Sequence, residues 1–301
     1  MSQTEVEKLA QQRKQRLIKY FTEPPDPRDR TVARVFLAVA GIALLATGVI
    51  VVHRDELPFA LVLLLAAAVC AVVGVDGLFR YRKRFAKAFP RPTDEEMDRL
   101  LAAELGRIRS ISLEKLGVTA DDLELTGEGW DPVAQLERGG PVLTPNERRP
   151  LVVFGPADDA RMEIGRDHAA RFSSYRVMAI CPTHFNFGLY LCTVNMLTGA
   201  LGQDETHEYQ YDDVVAIRTI TAGERGPEPE VRLRNEDVRF ARALECELQV
   251  VTSGGEYPRI HVVVPLADGA QPASLQPSGM EQVVTSVRRV LRDRRSAGSV
   301  I

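Results

Sequence analysis

The side chains that could carry nucleophilic or metal chemistry in this chain are four cysteines and five histidines. Cys181 and His184 stand closest, in "AICPTHF". A thiol–imidazole pair catalyses only when the ring nitrogen reaches the sulfur, a third group orients the ring, and donors await an oxyanion. Pro182 and Thr183 put a turn between the two, and no orienting partner can be picked from the sequence. A strand-end thiol followed by a turn histidine is therefore expected. His168 in "GRDHAAR" and His207 in "DETHE", with Asp204, Glu205 and Glu208, supply imidazole and carboxylates that suit a divalent cation. The same composition makes a solvated hairpin tip, and that reading is adopted. Cys70, Cys192 and Cys246 form no CxxC pair with any other cysteine and no Cys/His cluster, so no zinc or redox motif is indicated. Reduced, buried thiols are expected.

Glycines offer no phosphate loop. "TGEGWD", "RGGP" and "SGGEY" lack both the spacing and the following Lys-Ser/Thr of a P-loop, so they read as turns. Trp130, the single tryptophan, fits either the edge of a core or a partner contact. A net charge of −3 over 301 residues excludes a general nucleic-acid binder. "DVRFARALE" and "RRVLRDRR" are local basic stretches, read as solvated faces with weak lipid contact as the other option. No reaction, cofactor or metal follows from these residues, and the chain is expected not to be an enzyme.

The strongest pattern lies before residue 80. Val35–Val52 and Leu57–Val75 are uncharged runs of 18 and 19 residues, separated by His53-Arg54-Asp55-Glu56. A helix needs about 20 apolar residues to cross about 30 Å of hydrocarbon. A soluble core helix keeps a polar stripe, and neither run has one. Arg16, Lys19, Arg28, Arg30 and Arg34 precede the first run; Arg80, Arg82, Lys83, Arg84 and Lys87 follow the second. This bias makes both termini cytoplasmic and His53–Glu56 the outer tip of a hairpin in the inner (plasma) membrane. Arg28, Arg30, Arg80, Arg82, Lys83 and Arg84 are the expected contacts with lipid headgroups. A cleaved signal peptide is disfavoured because the apolar run starts only at residue 35. Asp76 ends the second run, where its carboxylate reaches the interface; a proton relay is the lesser option. Ala67, Cys70, Ala71 and Gly74 form a small-residue face, for the hairpin itself or for a second copy. Two helices with no other buried polar group suit an anchor better than a channel.

The remaining segments place elements around this hairpin. Residues 1–30 read as a basic amphipathic helix, with Thr4 and Glu7 in capping-box spacing, lying on the anionic leaflet or docking on a protein. Residues 31–89 hold the hairpin, with spans 35–52 and 57–75. Residues 90–130 connect, through a helix opened by Thr93 and Glu96, with Met97, Leu100, Leu101, Leu105 and Ile108 on one face. Residues 131–301 are β-rich, with strands at Leu151–Phe154, Tyr175–Cys181, Phe185–Asn195, His207–Tyr211 and Val214–Thr221, then a hairpin around Gly254-Gly255. "GPADD" and "GERGPEPE" read as turn and loop. Ser278 and Glu281 open a final helix, 279–295, with a stripe of Val283, Val284, Val287, Val290 and Leu291. The fold class is α+β: a transmembrane hairpin, then a mainly antiparallel β domain closed by a C-terminal helix.

"PTDEEMDRLLAAELGRI", "SLEKLGV", "RFSSYRVMAICPTHFNFGLYLCTVNMLTG" and "EYQYDDVVAIRT" resemble a family of actinobacterial membrane proteins of uncharacterised function, over roughly residues 90–265. Tyr209, Tyr211, Asp213, Val214 and Val215 carry the likeness best. The strand order also resembles bacterial pleckstrin-homology-like domains found beside membrane spans. The resemblance implies a fold and a location and transfers no catalytic residue. The expected function is a membrane-anchored, non-enzymatic interaction or sensor module, with the bilayer and a protein partner or second copy as partners. The alternatives are a small-ligand sensor or enzyme with a pocket against the 94–116 helix, and an accessory subunit of a membrane assembly. If the hairpin crosses as read, cysteine at position 54 (Arg54→Cys) is labelled by an impermeant maleimide on intact cells, and Arg99→Cys only after permeabilisation.

Overall fold

The computed structural model describes residues 3–53, 57–124, 129–130, 143–144, 148–167, 169–222, 242–255, 258–266 and 280–298. The chain divides into two compact units: Ile18–Arg91, and a second unit built from the segment ending at Leu17 together with everything from Pro92 onward. The architecture is α+β, with two long apolar helices near the N-terminus, antiparallel sheets and a C-terminal helix. Arg54–Glu56, the Gly223–Glu230 loop, Ser278 and His168 lie outside the described residues.

The Ile18–Arg91 unit is a helical hairpin of α2 (Pro27–His53) and α3 (Leu57–Ala88). Asp26 opens α2: its Oδ1 accepts from the Arg28 N–H at 2.8 Å, and Pro27 sits at the first helical position, where its missing N–H costs nothing. Both helices outrun the apolar segments, because Arg30–Arg34 and Arg80–Ala88 contain no helix breaker. Where they pack, the side chains are small. Ala33, Ala40 and Thr47 of α2 are buried, as is Ala67 of α3. A Cβ on Gly74 would lie 2.8 Å from Leu37 Cγ and 3.0 Å from the Ala33 oxygen, so backbone approaches backbone there. The small-residue face thus serves the hairpin itself. Large apolar groups point the other way: Ile42 is 68 % exposed, Leu45 74 % and Val72 69 %.

The other unit is layered around a four-stranded antiparallel sheet of order β3-β6-β7-β8: β3 (Leu151–Pro156), β6 (Ser174–Pro182), β7 (Asn186–Asn195) and β8 (Leu201–Gln210). A three-stranded sheet follows, of order β11-β10-β9: β9 (Val214–Ala222), β10 (Arg242–Thr252) and β11 (Arg259–Leu266). Alternate residues of the central strands serve two cores. Val153, Met178, Ile180, Phe187, Leu189 and Leu191 meet Val214, Leu248, Val250, Ile260 and Val262 of the three-stranded sheet. Their neighbours Val152, Phe154, Val177, Ala179, Tyr190 and Val194 meet Leu101, Leu105, Ile108 and Leu116 of α4 (Asp94–Leu116). Burial on both faces is why Val177–Cys181 of β6 and Phe187–Cys192 of β7 read as unbroken apolar runs. The C-terminal helix α5 (Met280–Gly298) adds Val283, Val284, Val287 and Leu291 to the first core.

Several boundaries differ from the expectations. Helix α1 (Gln3–Leu17) starts before Thr4, so Thr4 is not its cap, and it stops short of Ile18 and Phe21. Gly155 and Pro156 extend β3 rather than turning. Strand β8 starts six residues before His207, at Leu201; its exposed acidic side chains give no alternation to read. A short hairpin, β4 (Met162–Ile164) with β5 (Ala170–Phe172), was not anticipated; two short strands named β1 (Gly129–Trp130) and β2 (Leu143–Thr144) pair as well. Thr93 does cap α4, its Oγ1 accepting from the Glu96 N–H at 3.2 Å, and Gly117 closes it at φ 63°.

Strand β11 passes so close over β3 that a Cβ on Gly155 would fall well inside contact distance of the His261 carbonyl oxygen. Gly155→Ala is therefore expected to lower stability by about 1–3 kcal/mol, read as a lowered melting temperature of the full chain in detergent micelles.

Candidate functional site

The hairpin is the first candidate surface. Two stretches, Pro27–Val51 and Leu61–Ala88, are long and apolar enough to cross a membrane, and only 11 % of the apolar window of each is buried. At 1.5 Å per residue, Arg80 follows Val75 by about 7 Å and Arg84 by about 13 Å. Arg30, Arg80, Arg82, Lys83 and Arg84 are all exposed on the helix extensions, as is Arg28. Arg80 pairs with Asp76 at 2.7 Å, and Arg84 with Asp29 across the hairpin at 3.6 Å. Asp76 is thus an ion-pair partner at the helix end. Below the helices the two chain ends are tied. Lys19 Nζ donates to the Phe89 oxygen at 3.1 Å, and the Arg91 guanidinium donates to the carbonyls of Lys19 and Tyr20 while lying 5.4 Å from the Tyr20 ring.

In the β-rich unit Cys181 and His184 are separated. Cys181 is fully buried, 3.8 Å from Ser112 Oγ, and burial pushes its thiol up to about 12, which removes the thiolate a nucleophile needs. Burial raises Cys192 to about 11 for the same reason. His184 sits in the β6–β7 turn, with Nδ1 2.8 Å from Glu124 Oε1 and 2.8 Å from Arg294 Nη2. Arg294 of α5 also binds Glu124 and lies 5.6 Å from the Tyr211 ring. Tyr211 donates to the Thr183 carbonyl, and Asp213 accepts from Ser253 Oγ at 2.8 Å. The Tyr-x-Tyr-x-Asp segment therefore ties strand ends to α5.

The acids near His207 do not converge. Asp204 binds Lys115 of α4 at 2.8 Å, which holds its carboxyl below the usual range; Glu205 lies 3.6 Å from His207; Tyr209 stacks with that ring. Among the described residues no group of three His, Cys, Asp or Glu side chains is placed to hold a metal ion. The Trp130 side chain, most of "TGEGWD" and all of "RGGP" lie outside the described residues, whereas Gly254-Gly255 forms the β10–β11 turn.

Two arginine clusters were missed by sequence reasoning. Arg171 of β5, 1 % exposed, donates in a fork to both oxygens of Asp98 at 2.8 Å and to both of Asp167 at 2.9 and 2.6 Å. Asp94 accepts from the Arg166 N–H at 2.8 Å, which fastens the β4–β5 turn to the start of α4. Arg13 of α1 donates to Glu104 at 2.6 Å and to the Met196 carbonyl at 3.1 Å; Arg107 holds the other Glu104 oxygen and the Gly199 carbonyl. A Cβ at Gly199 would strike the Arg13 guanidinium at 2.7 Å, so the glycine, at φ 72°, makes the slot. Arg16 pairs with Glu96 at 2.7 Å. The one usable signal was Asp94-x-x-x-Asp98 on a helix facing "GRDHAAR"; nothing local announces that an arginine will be buried.

These features define a class: an α+β protein with an apolar helical hairpin and a layered β body. Comparison with known proteins goes no further: no family model matches the chain, and neither a curated protein nor a solved structure matches it.

Removing Arg171 leaves two facing carboxylates, each able to rehydrate in part. Arg171→Met is expected to cost about 2–3 kcal/mol at pH 7. Hydrogen bonding to Arg171 holds the Asp167 carboxyl below its ordinary value. Its contribution is therefore present above about pH 4 and is lost as the pH falls through the depressed folded value. Melting curves should show the gap between wild type and variant narrowing from pH 7 to pH 3.

Proposed function

We propose that this protein is a membrane-anchored interaction module without catalytic activity, carrying a pleckstrin-homology-like body at the inner face of the cell membrane with both termini cytoplasmic. The observation that carries this reading is the reversed packing of the hairpin: small residues meet inside, and Ile42, Leu45, Leu61, Val62, Leu65, Val69 and Val72 face outward. In water that surface would far exceed the few hundred Å² of contiguous apolar area that monomers tolerate. The cationic helix ends favour the cytoplasmic side for both links.

The body supports the pleckstrin-homology-like reading through order and packing. Four strands and then three, all antiparallel neighbours, are followed by one helix that fills the core between the sheets. The actinobacterial resemblance is consistent with the same arrangement. The intersheet space is filled by apolar side chains, which directs binding to strand edges and helix grooves.

The expected outcomes are retention of the full chain in the membrane pellet after carbonate extraction and capture of a reproducible protein partner after crosslinking in intact membranes. Release into the carbonate supernatant overturns the anchor, and crosslinked membranes without any partner overturn the interaction role.

A further inference from the structure

The α5 helix carries charge that is left uncompensated among the described residues. Arg288, Arg289, Arg292 and Arg295 are exposed, as is Arg218 on the adjacent strand, and none forms an ion pair among the described residues. Elsewhere in this unit Arg13, Arg16, Arg107, Arg171 and Arg294 all hold carboxylates. The unpaired set borders β9, an outer strand of its three-stranded sheet. Arg288 donates to the Ile217 carbonyl at 3.3 Å, and Arg295 to those of Val214 and Val215 at 2.7 and 3.0 Å. Backbone acceptors at a strand edge, which would ordinarily pair with another strand, are here engaged by side chains that can swing away.

We infer that the β9 edge and the Arg288–Arg292–Arg295 row of α5 form a docking site for an extended acidic segment of a protein partner; this rests on the interaction-module reading. The arginines stand at i, i+4 and i+7, so they follow one another at about 6 and 4.5 Å along the helix. Alternate residues of a strand are about 6.7 Å apart and share a face. Carboxylates at every second position of an incoming strand therefore align with the row. As Arg288 and Arg295 leave carbonyls for carboxylates, N–H groups of the added strand take their place on the carbonyls that face the open edge, while Arg292 is already free to pair. An anionic lipid headgroup fits less well: a phosphate offers oxygens only, so the released carbonyls would lose their donors.

The site stands at the Leu116 end of α4. That helix begins two residues after Pro92 and runs 23 residues, about 33 Å, to Leu116, whose Cδ1 lies at Gly188 beside the β6–β7 turn. Thr183 in this turn accepts from Tyr211, three residues before β9 begins.

The test uses the full chain in neutral phosphatidylcholine nanodiscs and a fluorescein-labelled decapeptide of alternating glutamate and threonine, titrated by anisotropy. Saturable binding is expected, weakened about tenfold or more by Arg292→Glu, further by Arg288→Glu/Arg292→Glu, and unchanged by Arg161→Glu on the β4–β5 side. A lysine–threonine peptide should not bind, and N-methylation of alternate peptide bonds should abolish binding. Absence of saturable binding, full affinity in both glutamate variants, or full affinity of the N-methylated peptide each overturns the inference. Arginine-dependent binding of short-chain phosphatidylglycerol in place of the peptide assigns the row to lipid and overturns it equally. Failure of the anchor is separable, since it shows as protein missing from the nanodisc fraction. Failure here shows as embedded protein that ignores the peptide.

Discussion

The contact between α2 and α3 is made at glycine and alanine, and most of what surrounds it follows from that choice. When Gly74 lies against Ala33 and Leu37, the helix backbones come close enough for dispersion between them to hold the pair without a hydrophobic drive. Ile42, Leu45, Leu65, Val69 and Val72 are then turned outward and make an apolar surface. The same closeness brings the helix ends together, so Asp29 reaches Arg84 and the strands of chain on either side tie through Lys19 and Arg91. A hairpin of this kind ends in two neighbouring threads of chain.

The β-rich unit answers a different constraint. Its central sheet is apolar on both faces, so it needs two covers. One is the three-stranded sheet with α5; the other is α4. Hydrophobic contact is non-directional, and the placement of α4 is sharpened by charge. Arg171 grips Asp98 near one end, Glu104 joins Arg13 and Arg107 in the middle, and Lys115 reaches Asp204 near the other. Such fork-like or bridged pairs fix rotation and register more firmly than they add stability.

What could be read in advance tracks how local the physics is. The hairpin was legible because an uncharged apolar run is a signal carried by every residue in it, and α4 because Thr93 and its apolar stripe act within a few residues. β6 and β7 were legible as strands, but not as doubly buried, since an unbroken apolar run does not say which elements cover it. β8 was cut short because an exposed strand with Asp204, Glu205 and Glu208 has no pattern. The Arg171 cluster and the Arg13 slot join residues about 70 to 180 positions apart, and no sequence window contains such pairs. His184 drew notice for its nearness to Cys181, whereas its actual partners come from Glu124 and Arg294.

Gly199 and Glu104 await a residue, Arg13, that leaves the ribosome about ninety positions before the second of them. The opening helix is thus synthesised first, yet it acquires its seat only after the hairpin and most of the strands exist. Until Gly199 has been made, the slot that receives Arg13 is incomplete. A soluble fragment beginning near residue 90 would be born with a vacant berth: Glu104 would face only Arg107, beside an empty cleft at Gly199.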